Sequence, residues 1–185
     1  MGVRTAGSAR VLRAFAARVH QHERCVEAAL AEAEVTCRRS GQRLTTLRRR
    51  VLELVWAGHA PVKAYDLLER LRAERARAAP PTVYRALDFL CQEGLVHRIE
   101  SLNAYVGCGE PQRPHRAQFL ICRDCGTVAE LDDTEVSGLI AGRAGRLGFE
   151  VQRETIEVVG RCAACRAEPA GPARDVPAGG PATRS

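Results

Sequence analysis

Apolar positions in the first half of the chain recur at helical spacing. Leu47, Val51 and Leu54 follow one another at intervals of four and three residues, which places them on one face of a helix. The same pattern and its stop signals predict four helices, in HERCVEAALAEAEVTCRRSG, TTLRRRVLELVWAG, VKAYDLLERLRAERARA and PPTVYRALDFLCQEG. The fourth helix begins at a double proline, because Pro81 fits the first helical turn, and it ends at Gly94.

After Gly94 the period of the pattern shortens towards two. The segments LVHRIES and AYVGC predict two short strands, joined by a turn at Leu102 and Asn103. Such a hairpin, directly after a helix that exposes Tyr84 and Arg85, favours a winged helix-turn-helix whose fourth helix enters the major groove of DNA. A helical bundle with a solvated charged face is the alternative that these patterns leave open.

The second half of the chain predicts a small α+β unit. AQFLICRDCGTVAELD indicates a strand, a tight turn and a second strand, DTEVSGLIAGRAGRLGF a helix, and EVQRETIEVVGRC a return strand. The connector GEPQRP, rich in Pro and Gly, predicts a hinge between the two halves. A unit of about fifty residues has a small core, so a metal or an oligomer partner is expected to stabilise it.

Composition and charge narrow the class of protein. The chain has 185 residues, eight cysteines, and neither a long apolar run nor the apolar core of a signal peptide, so we expect a cytoplasmic protein. Thiols stay reduced in that compartment, which favours metal ligands over disulfides. A formal charge of +6 suits a polyanionic partner.

Four cysteines form two Cys-x-x-Cys pairs, Cys122 with Cys125 and Cys162 with Cys165, separated by 36 residues. Two such pairs, each following a predicted strand, can bring four thiolates to one tetrahedral zinc. Three alternatives involve thiols of this kind: a Cys-x-x-Cys oxidoreductase, a zinc deaminase and rubredoxin-like electron transfer on iron. A structural zinc-ribbon interaction protein without a DNA target is an alternative for the function of the whole chain. Structural zinc is the favoured interpretation, because a redox pair normally begins a helix within a βαβ unit.

A second set of candidate ligands flanks the first Cys-x-x-Cys pair. It consists of His97 on the predicted wing, Cys108 in the hinge, His115 just beyond the hinge, and Glu130 five residues after Cys125. Two imidazoles, a thiolate and a carboxylate form a complete mixed ligand set for zinc. Single histidines and cysteines are more often packed or surface residues, which is the alternative. A metal bound by these four residues would join the two halves of the chain.

Several blocks of the chain resemble the ferric uptake regulator family. They are LTTLRRRVLEL, AYDLLERL, PPTVYRALDFLCQEGLVHRIES, NAYVGC, LICRDCG and CAAC, which together span about residues 25–166. Within the family the chain is most similar to the zinc uptake regulators. The resemblance implies a homodimeric, metal-activated transcriptional repressor of operator DNA, with no enzymatic activity, no small-molecule substrate and no membrane partner.

The implied fold class is α+β, with an N-terminal winged helix-turn-helix and a small C-terminal α/β dimerisation domain that carries a four-cysteine zinc site. The predicted segments are a flexible N-terminal extension (1–20), a winged-helix DNA-binding domain (21–107), a hinge (108–114), a metal-binding dimerisation domain (115–166) and a disordered tail (167–185). The extension contains an Arg-rich amphipathic piece, which is interpreted either as a continuation of the first helix or as a transit-like segment.

The resemblance also implies roles for individual residues. The four paired cysteines hold structural zinc, and His97, Cys108, His115 and Glu130 hold regulatory zinc, which gives about two Zn²⁺ ions per subunit. Tyr65 and Arg85 contact bases, and Arg85 suits the O6 and N7 atoms of guanine. The remaining candidate DNA contacts are Thr82, Tyr84, Arg43, Arg48 and Arg49, of which the last three are phosphate contacts.

The family resemblance leaves more than one metal open as the one that is sensed. A relative that senses Fe(II), Mn(II) or peroxide with the same architecture is the alternative within the family. The His-rich run that precedes the first Cys-x-x-Cys pair in iron-sensing relatives is here RPHRAQ. A thiolate at Cys108 favours zinc over these harder ions.

Overall fold

The structure is a computed structural model, and it describes residues 9–15, 22–74 and 78–167. Its elements are β1 (Arg10–Arg13), α1 (His22–Arg39), α2 (Thr46–Trp56), α3 (Ala64–Glu74), α4 (Pro80–Gln92), β2 (Val96–Ile99), β3 (Ala104–Gly107), β4 (Ala117–Cys122), β5 (Val128–Asp132), α5 (Thr134–Gly145), β6 (Ile156–Gly160) and α6 (Ala163–Ala167). The α+β fold class predicted from the sequence is therefore confirmed.

The four predicted helices α1 to α4 are present, and local signals set their ends. The Thr45 side chain accepts a hydrogen bond from the backbone N–H of Arg48, so it caps the start of α2. Gly94 has a φ of +68°, a left-handed conformation in which glycine ends α4 without steric strain. The apolar faces of α1 to α4 pack into one core, which includes the fully buried residues Leu67, Leu71, Leu87 and Leu90.

The hairpin after α4 has the form of a wing. Strands β2 and β3 pair antiparallel, and Asn103 takes a φ of +46° in the turn between them. Val62 and Tyr105 exchange two backbone hydrogen bonds, of 2.9 and 2.8 Å. Because Val62 lies just before α3, these bonds attach the wing to the helix-turn-helix formed by α3 and α4.

The C-terminal half is built on a four-stranded sheet with strand order β1-β5-β4-β6. Strand β4 pairs antiparallel with β5 and parallel with β6, since α5 connects β5 to β6 as a crossover. The sheet also packs against the wing, because Ile99 and Val106 share an apolar cluster with Phe119 and Ile121. The carboxylate of Glu157 in β6 accepts hydrogen bonds from two backbone N–H groups at the wing turn, at 2.7 and 3.1 Å.

Strand β1 differs from the sequence expectation for residues 1–20, which was a flexible extension or a continuation of the first helix. Arg10–Arg13 instead pairs antiparallel with β5 and covers the outer edge of the sheet. An unpaired strand edge offers a row of free backbone N–H and C=O groups, and this long-range pairing overrides the local helical pattern.

Two further expectations concern residues outside the described part. Residues 1–8, 16–21 and 75–77 are not described, and the tail predicted for residues 167–185 lies outside the description from residue 168 onwards. The domain boundaries stay predictions.

Among the described helices, none combines the length and apolar character needed to cross a membrane.

Candidate metal centres and DNA-facing surface

The four paired cysteines meet at one end of the sheet. Cys122 ends β4, Cys125 lies in the turn before β5, Cys162 follows β6, and Cys165 lies in α6. Because β4 and β6 are adjacent and parallel, both Cys-x-x-Cys pairs emerge on the same side. The four Sγ atoms lie within 4.8 Å of one another, and we call this group the four-cysteine cluster.

The acidity of these thiols depends strongly on their neighbours. Burial opposes ionisation of Cys122, but backbone N–H groups such as that of Cys162, 3.3 Å from its Sγ, lower its pKa to about 6. Hydrogen bonding to Cys162 and burial raise the pKa of Cys165 to about 12. Four adjacent thiolates would repel one another, so they require a cation. All eight cysteines are free thiols, and four cysteines are a usual ligand set for structural zinc.

The second predicted set of ligands also comes together, and we call it the hinge cluster. His97 comes from β2, Cys108 follows β3, His115 precedes β4, and Glu130 lies in β5. The Oε1 atom of Glu130 lies 2.8 Å from Nε2 of His115 and 2.9 Å from Nε2 of His97. The Sγ atom of Cys108 lies 3.7 Å from Nε2 of His115 and 3.9 Å from the same carboxylate oxygen.

Backbone groups orient the ligands of the hinge cluster. The N–H of Gly109 donates to Oε2 of Glu130 at 2.8 Å, which leaves Oε1 facing the histidines. Nδ1 of His115 lies 2.8 Å from the carbonyl oxygen of Arg113, so this bond orients Nε2 towards the cluster centre. Cys108 and Glu130 are buried.

Charge in the hinge cluster is balanced by protons. Burial would raise the pKa of Glu130, but the hydrogen bond from His115 and the imidazole of His97, whose Nε2 lies 2.9 Å from the carboxylate, lower it to about 2. Hydrogen bonds to Cys108 and Glu130 raise the pKa of His115 to about 11. Burial would lower the pKa of His97, yet the same two partners raise it to about 9. Burial also opposes ionisation of Cys108, whose pKa is nevertheless lowered because both histidines stabilise the thiolate.

The geometry fits a tetrahedral metal ion. The four ligand atoms of the hinge cluster all lie within 4.8 Å of one another. A zinc ion with bonds of about 2.0–2.3 Å needs ligand atoms roughly 3.5 Å apart, which requires only small shifts from these positions. An ion at this place would replace the protons of the two imidazoles and would pair with Cys108 and with the carboxylate of Glu130. Within the described ranges, the hinge cluster and the four-cysteine cluster are the candidate metal sites.

The candidate base-contacting residues lie on the exposed faces of α3 and α4. Tyr65 is 62% exposed and Tyr84 is 51% exposed, and both line a cleft between the two helices. Thr82 and Arg85 are also exposed near the start of α4. Their neighbours Val83 and Ala86 are buried, so helical periodicity separates the outward face from the core.

The three arginines expected to contact phosphates differ in their surroundings. Arg43 is exposed, whereas the guanidinium of Arg48 lies 3.4 Å from the centre of the Phe89 ring. Arg49 forms ion pairs with Glu34 and Glu53. Intramolecular contacts therefore occupy Arg48 and Arg49, which the pattern of charge along the sequence does not indicate.

Two groups that support the hinge cluster were not predicted from the sequence. One is the backbone N–H of Gly109, and the other is the side chain of Arg13 in β1, which reaches the backbone beside Cys108 and Glu130. Backbone donors carry no signal in the sequence. Arg13 is one of many arginines, and only the long-range pairing of β1 with β5 brings it to the cluster.

Comparisons with known proteins identify relatives along most of the chain. The zinc uptake regulation protein of Escherichia coli (strain K12) is 43% identical over 137 residues, which make up 74% of this chain and 80% of that protein. A zinc uptake regulator complexed with zinc and DNA is 41% identical, with a TM-score of 0.73, and the match covers 77% of this chain and 95% of that chain. Holo XcZur is 45% identical with a TM-score of 0.70, covering 76% and 99%.

The family assignment follows from these matches. The model of the ferric uptake regulator family matches residues 39–159, which run from the end of α1 into β6. This range contains the wing, the whole hinge cluster and the first Cys-x-x-Cys pair, and the solved relatives extend the likeness over the fold. The chain belongs to the ferric uptake regulator family.

Proposed function

We propose that this protein is a zinc-responsive transcriptional repressor, which acts in the cytoplasm as a homodimer on double-stranded operator DNA at zinc uptake and homeostasis genes. The observation that carries the proposal is the hinge cluster, whose four ligand atoms converge although they belong to both halves of the chain. The similarity to zinc uptake regulators supports it. In this function the protein regulates transcription and catalyses no reaction.

The two clusters have different roles in this proposal, and they account for about two zinc ions per subunit. The four-cysteine cluster joins β4, β6 and α6 within the C-terminal half, so its residues hold a structural ion. His97 lies in the wing strand β2 and Cys108 directly follows β3, whereas His115 and Glu130 belong to the sheet region. This arrangement suits a regulatory ion, since ligand binding there fixes one half relative to the other.

The proposed switch is a shift in a conformational population. When bound at the hinge cluster, zinc supplies one dication that bonds to ligands from both halves at once. With these four ligands held together, the winged helix keeps one orientation relative to the sheet, and other orientations lose population. Linkage requires that DNA tighten zinc binding by the same factor by which zinc tightens DNA binding, typically about 1–3 kcal/mol.

The ligand set favours zinc as the sensed metal. Cys108 contributes a buried thiolate whose pKa is lowered by both histidines of the cluster. Thiolate is a soft ligand that zinc accepts readily in tetrahedral sites, whereas Mn(II) prefers carboxylate, carbonyl and water oxygens. Among the family alternatives, a zinc sensor therefore matches the donor atoms best.

The DNA-facing surface consists of exposed residues on the helix-turn-helix. We assign base contacts to Tyr65 and Arg85 and further contacts to Thr82 and Tyr84, because all four are exposed on α3 and α4. Arg85 can donate two hydrogen bonds to guanine. Of the phosphate candidates Arg43, Arg48 and Arg49, the exposed Arg43 needs the least rearrangement to reach a phosphate.

An apolar surface on the C-terminal half suits the dimer interface. The exposed side chains on and around α5 and β6 include Leu139, Ile140, Leu147, Phe149, Val158 and Val159. Exposed apolar side chains are costly in water, and an accumulation of them commonly marks an association site. Among the strands that the structure describes, β6 is also the edge of the sheet opposite to β1.

The test is an operator-binding titration of the Cys108→Ser variant with Zn(II), Fe(II) and Mn(II) at fixed salt concentration. We expect wild type to bind the operator more tightly as Zn(II) is added, and Cys108→Ser to lose this response while staying a folded dimer, because one ligand of the hinge cluster is gone. Fixed salt is essential, since affinity for DNA varies steeply with ionic strength.

Cys91→Ser is the matched control. Cys91 is a partly buried thiol of α4 that belongs to neither cluster, so this variant should respond to Zn(II) as wild type does. A zinc response of unchanged size in Cys108→Ser would contradict the regulatory role of the hinge cluster. A stronger response of wild type to Fe(II) or Mn(II) than to Zn(II) would contradict the identity of the sensed metal.

A further inference from the structure

The N-terminal segment Arg10–Phe15 lies at the junction of the two halves of the chain. Its strand β1 pairs with β5, and Phe15 packs against the four-cysteine cluster. Leu12 crosses the hinge so closely that a Cβ atom on Gly109 would clash with the Leu12 carbonyl group. The absence of a side chain at Gly109 therefore allows the segment to cross the hinge at this point.

Arg13 connects the wing to the sheet. Its guanidinium donates one hydrogen bond to the carbonyl oxygen of Gly107, at 3.3 Å, and another to that of Val128, at 3.2 Å. Gly107 ends the wing strand β3, and Val128 begins β5. The guanidinium also lies 5.9 Å from the centre of the Trp56 ring in α2. One side chain thus contacts α2, the wing and the sheet.

The backbone groups that Arg13 holds lie next to ligands of the hinge cluster. Gly107 immediately precedes Cys108, and Arg13 stands opposite Glu130 in the strand pairing, after an irregularity at Leu12. Paired residues in antiparallel strands project to the same face, so the cation of Arg13 lies on the side of the sheet where the Glu130 carboxylate lies. Salt links at Arg10, to Glu110 and Asp132, attach the other end of β1.

We propose that Arg10–Phe15 is a tie across the hinge that operates without metal, and that Arg13 is a positioning residue for the hinge cluster. The inference rests on the proposed function only in taking the hinge cluster as the regulatory zinc site. Arg13 donates no ligand atom. It holds the backbone on both sides of the cluster, which keeps Cys108 and Glu130 at a mutual distance suited to one ion.

The expected direction of the effect follows from pre-organisation. The apparent affinity of a ligand falls in proportion to the fraction of the protein that is competent to bind it. Without the tie, fewer molecules hold the two halves in the arrangement that brings the ligands together, so zinc affinity should fall. A purely electrostatic role predicts the opposite, because removing a cation beside the site would favour binding of a dication.

The experiment measures zinc affinity of the full-length Arg13→Gln variant by competition with a chromogenic chelator, with the four-cysteine cluster already loaded. We expect the hinge affinity to fall about tenfold, at the lower end of the effect of outer-shell substitutions at metal sites. Arg13→Lys should recover part of this loss, since an ammonium group can bond to one of the two carbonyl groups. Val11→Thr is the matched control, because Val11 lies on the same strand with 62% of its surface exposed.

Hydrogen exchange gives a readout that does not depend on zinc. The backbone amides of Val128–Asp132 should exchange faster in Arg13→Gln than in Val11→Thr, both before and after chelator treatment, because β1 covers the outer edge of β5. Deletion of residues 2–15 provides a second variant that removes the whole tie, and it should weaken hinge affinity at least as much as Arg13→Gln.

The outcomes separate this inference from the proposed function. Wild-type zinc affinity in both Arg13→Gln and the deletion, together with loss of the hinge site in Cys108→Ser, would overturn the tie and leave the proposed function intact. Increased zinc affinity in Arg13→Gln would also overturn it, in favour of simple charge repulsion. Retention of two wild-type zinc affinities by Cys108→Ser would instead overturn the proposed function.

Discussion

At the scale of single residues, the hinge cluster is a set of charged side chains, and the burial of each is favourable only because the others are its partners. Glu130 is fully buried, and its carboxylate is stabilised by the imidazoles of His97 and His115 and by the Gly109 N–H. A buried carboxylate without such partners would carry a large desolvation cost. The types of ligand residue in the sequence predict such a cluster. They do not predict that a backbone N–H would bind the carboxylate, or how each imidazole is oriented.

Zinc binding at the hinge cluster should release protons. The pKa values of about 9 and 11 for His97 and His115 lie above the usual histidine value, so both rings carry protons at neutral pH in the metal-free protein. Metal binding requires neutral imidazole, which means that each ion displaces about two protons. The apparent zinc affinity should therefore rise about a hundredfold per pH unit between pH 6 and pH 8.

Calorimetry in buffers of different ionisation enthalpy counts the released protons directly. The apparent binding enthalpy should change with the buffer in proportion to about two protons per hinge zinc. The titration needs protein whose four-cysteine cluster is already loaded, so that only the hinge site contributes. An affinity that stays constant from pH 6 to pH 8 would show that the histidines are not protonated in the metal-free protein.

At the scale of elements, local signals predicted most of the fold, and long-range pairing accounts for what they missed. The cap at Thr45 and the stop at Gly94 are decided by neighbouring residues, so helix ends follow from the sequence. Strand β1 depends on the free edge of β5, more than a hundred residues away, and no local pattern indicates it. The same limit applies to Arg48, which the sequence presents as a surface cation although it stacks on Phe89.

The four-cysteine cluster should decide whether the C-terminal elements fold. Cys122→Ser removes one of four thiolates, and structural zinc contributes roughly 10–16 kcal/mol at pH 7, which is comparable to the stability of a whole domain. We expect the variant to lose the β4-β6 pairing and to form no stable dimer. Circular dichroism measures the loss of secondary structure, and native mass spectrometry measures the zinc content and whether a dimer forms.

Cys37→Ser serves as the control for the loss of a buried thiol. Cys37 belongs to the helical core and to neither metal cluster, so its substitution should reduce stability without reducing zinc content. A Cys122→Ser protein that keeps wild-type zinc content and thermal stability would contradict the structural role of the cluster.

At the scale of the whole molecule, the winged helix and the sheet are joined by more than the hinge peptide. The apolar cluster of Ile99 and Val106 with Phe119 and Ile121 connects the wing to β4. The segment Arg10–Phe15 crosses the junction, and the hinge cluster lies inside it. The family resemblance predicted two halves and a metal between them, whereas these direct contacts depend on side-chain packing that only the folded chain reveals.

Substitution on the apolar surface of the C-terminal half should weaken the dimer. Phe149 is 65% exposed, so Phe149→Ser should change the monomer little while removing apolar area from the proposed interface. Loss of one buried aromatic side chain is worth about 2 kcal/mol, which corresponds to a dimer dissociation constant roughly thirtyfold higher. Sedimentation velocity of zinc-loaded protein over a range of concentrations measures this constant.

Tyr84→Ser is the matched control for the dimer. Tyr84 is an aromatic residue of similar exposure, 51%, on the proposed DNA-facing surface of the other half. Its substitution should leave the dissociation constant of the dimer unchanged and reduce operator affinity. An equal effect of the two substitutions on dimerisation would place the interface elsewhere.

The contact of Glu157 with the wing turn bears on the spacing between the two half-sites of an operator. Its carboxylate binds the backbone N–H groups of Glu100 and Ser101, and Glu157 lies on β6, the edge strand opposite to β1. In a dimer joined along this edge, each wing would contact a strand of the interface between the subunits. The width of the joined sheets would then set the distance between the two wings, and with it the number of base pairs between two half-sites.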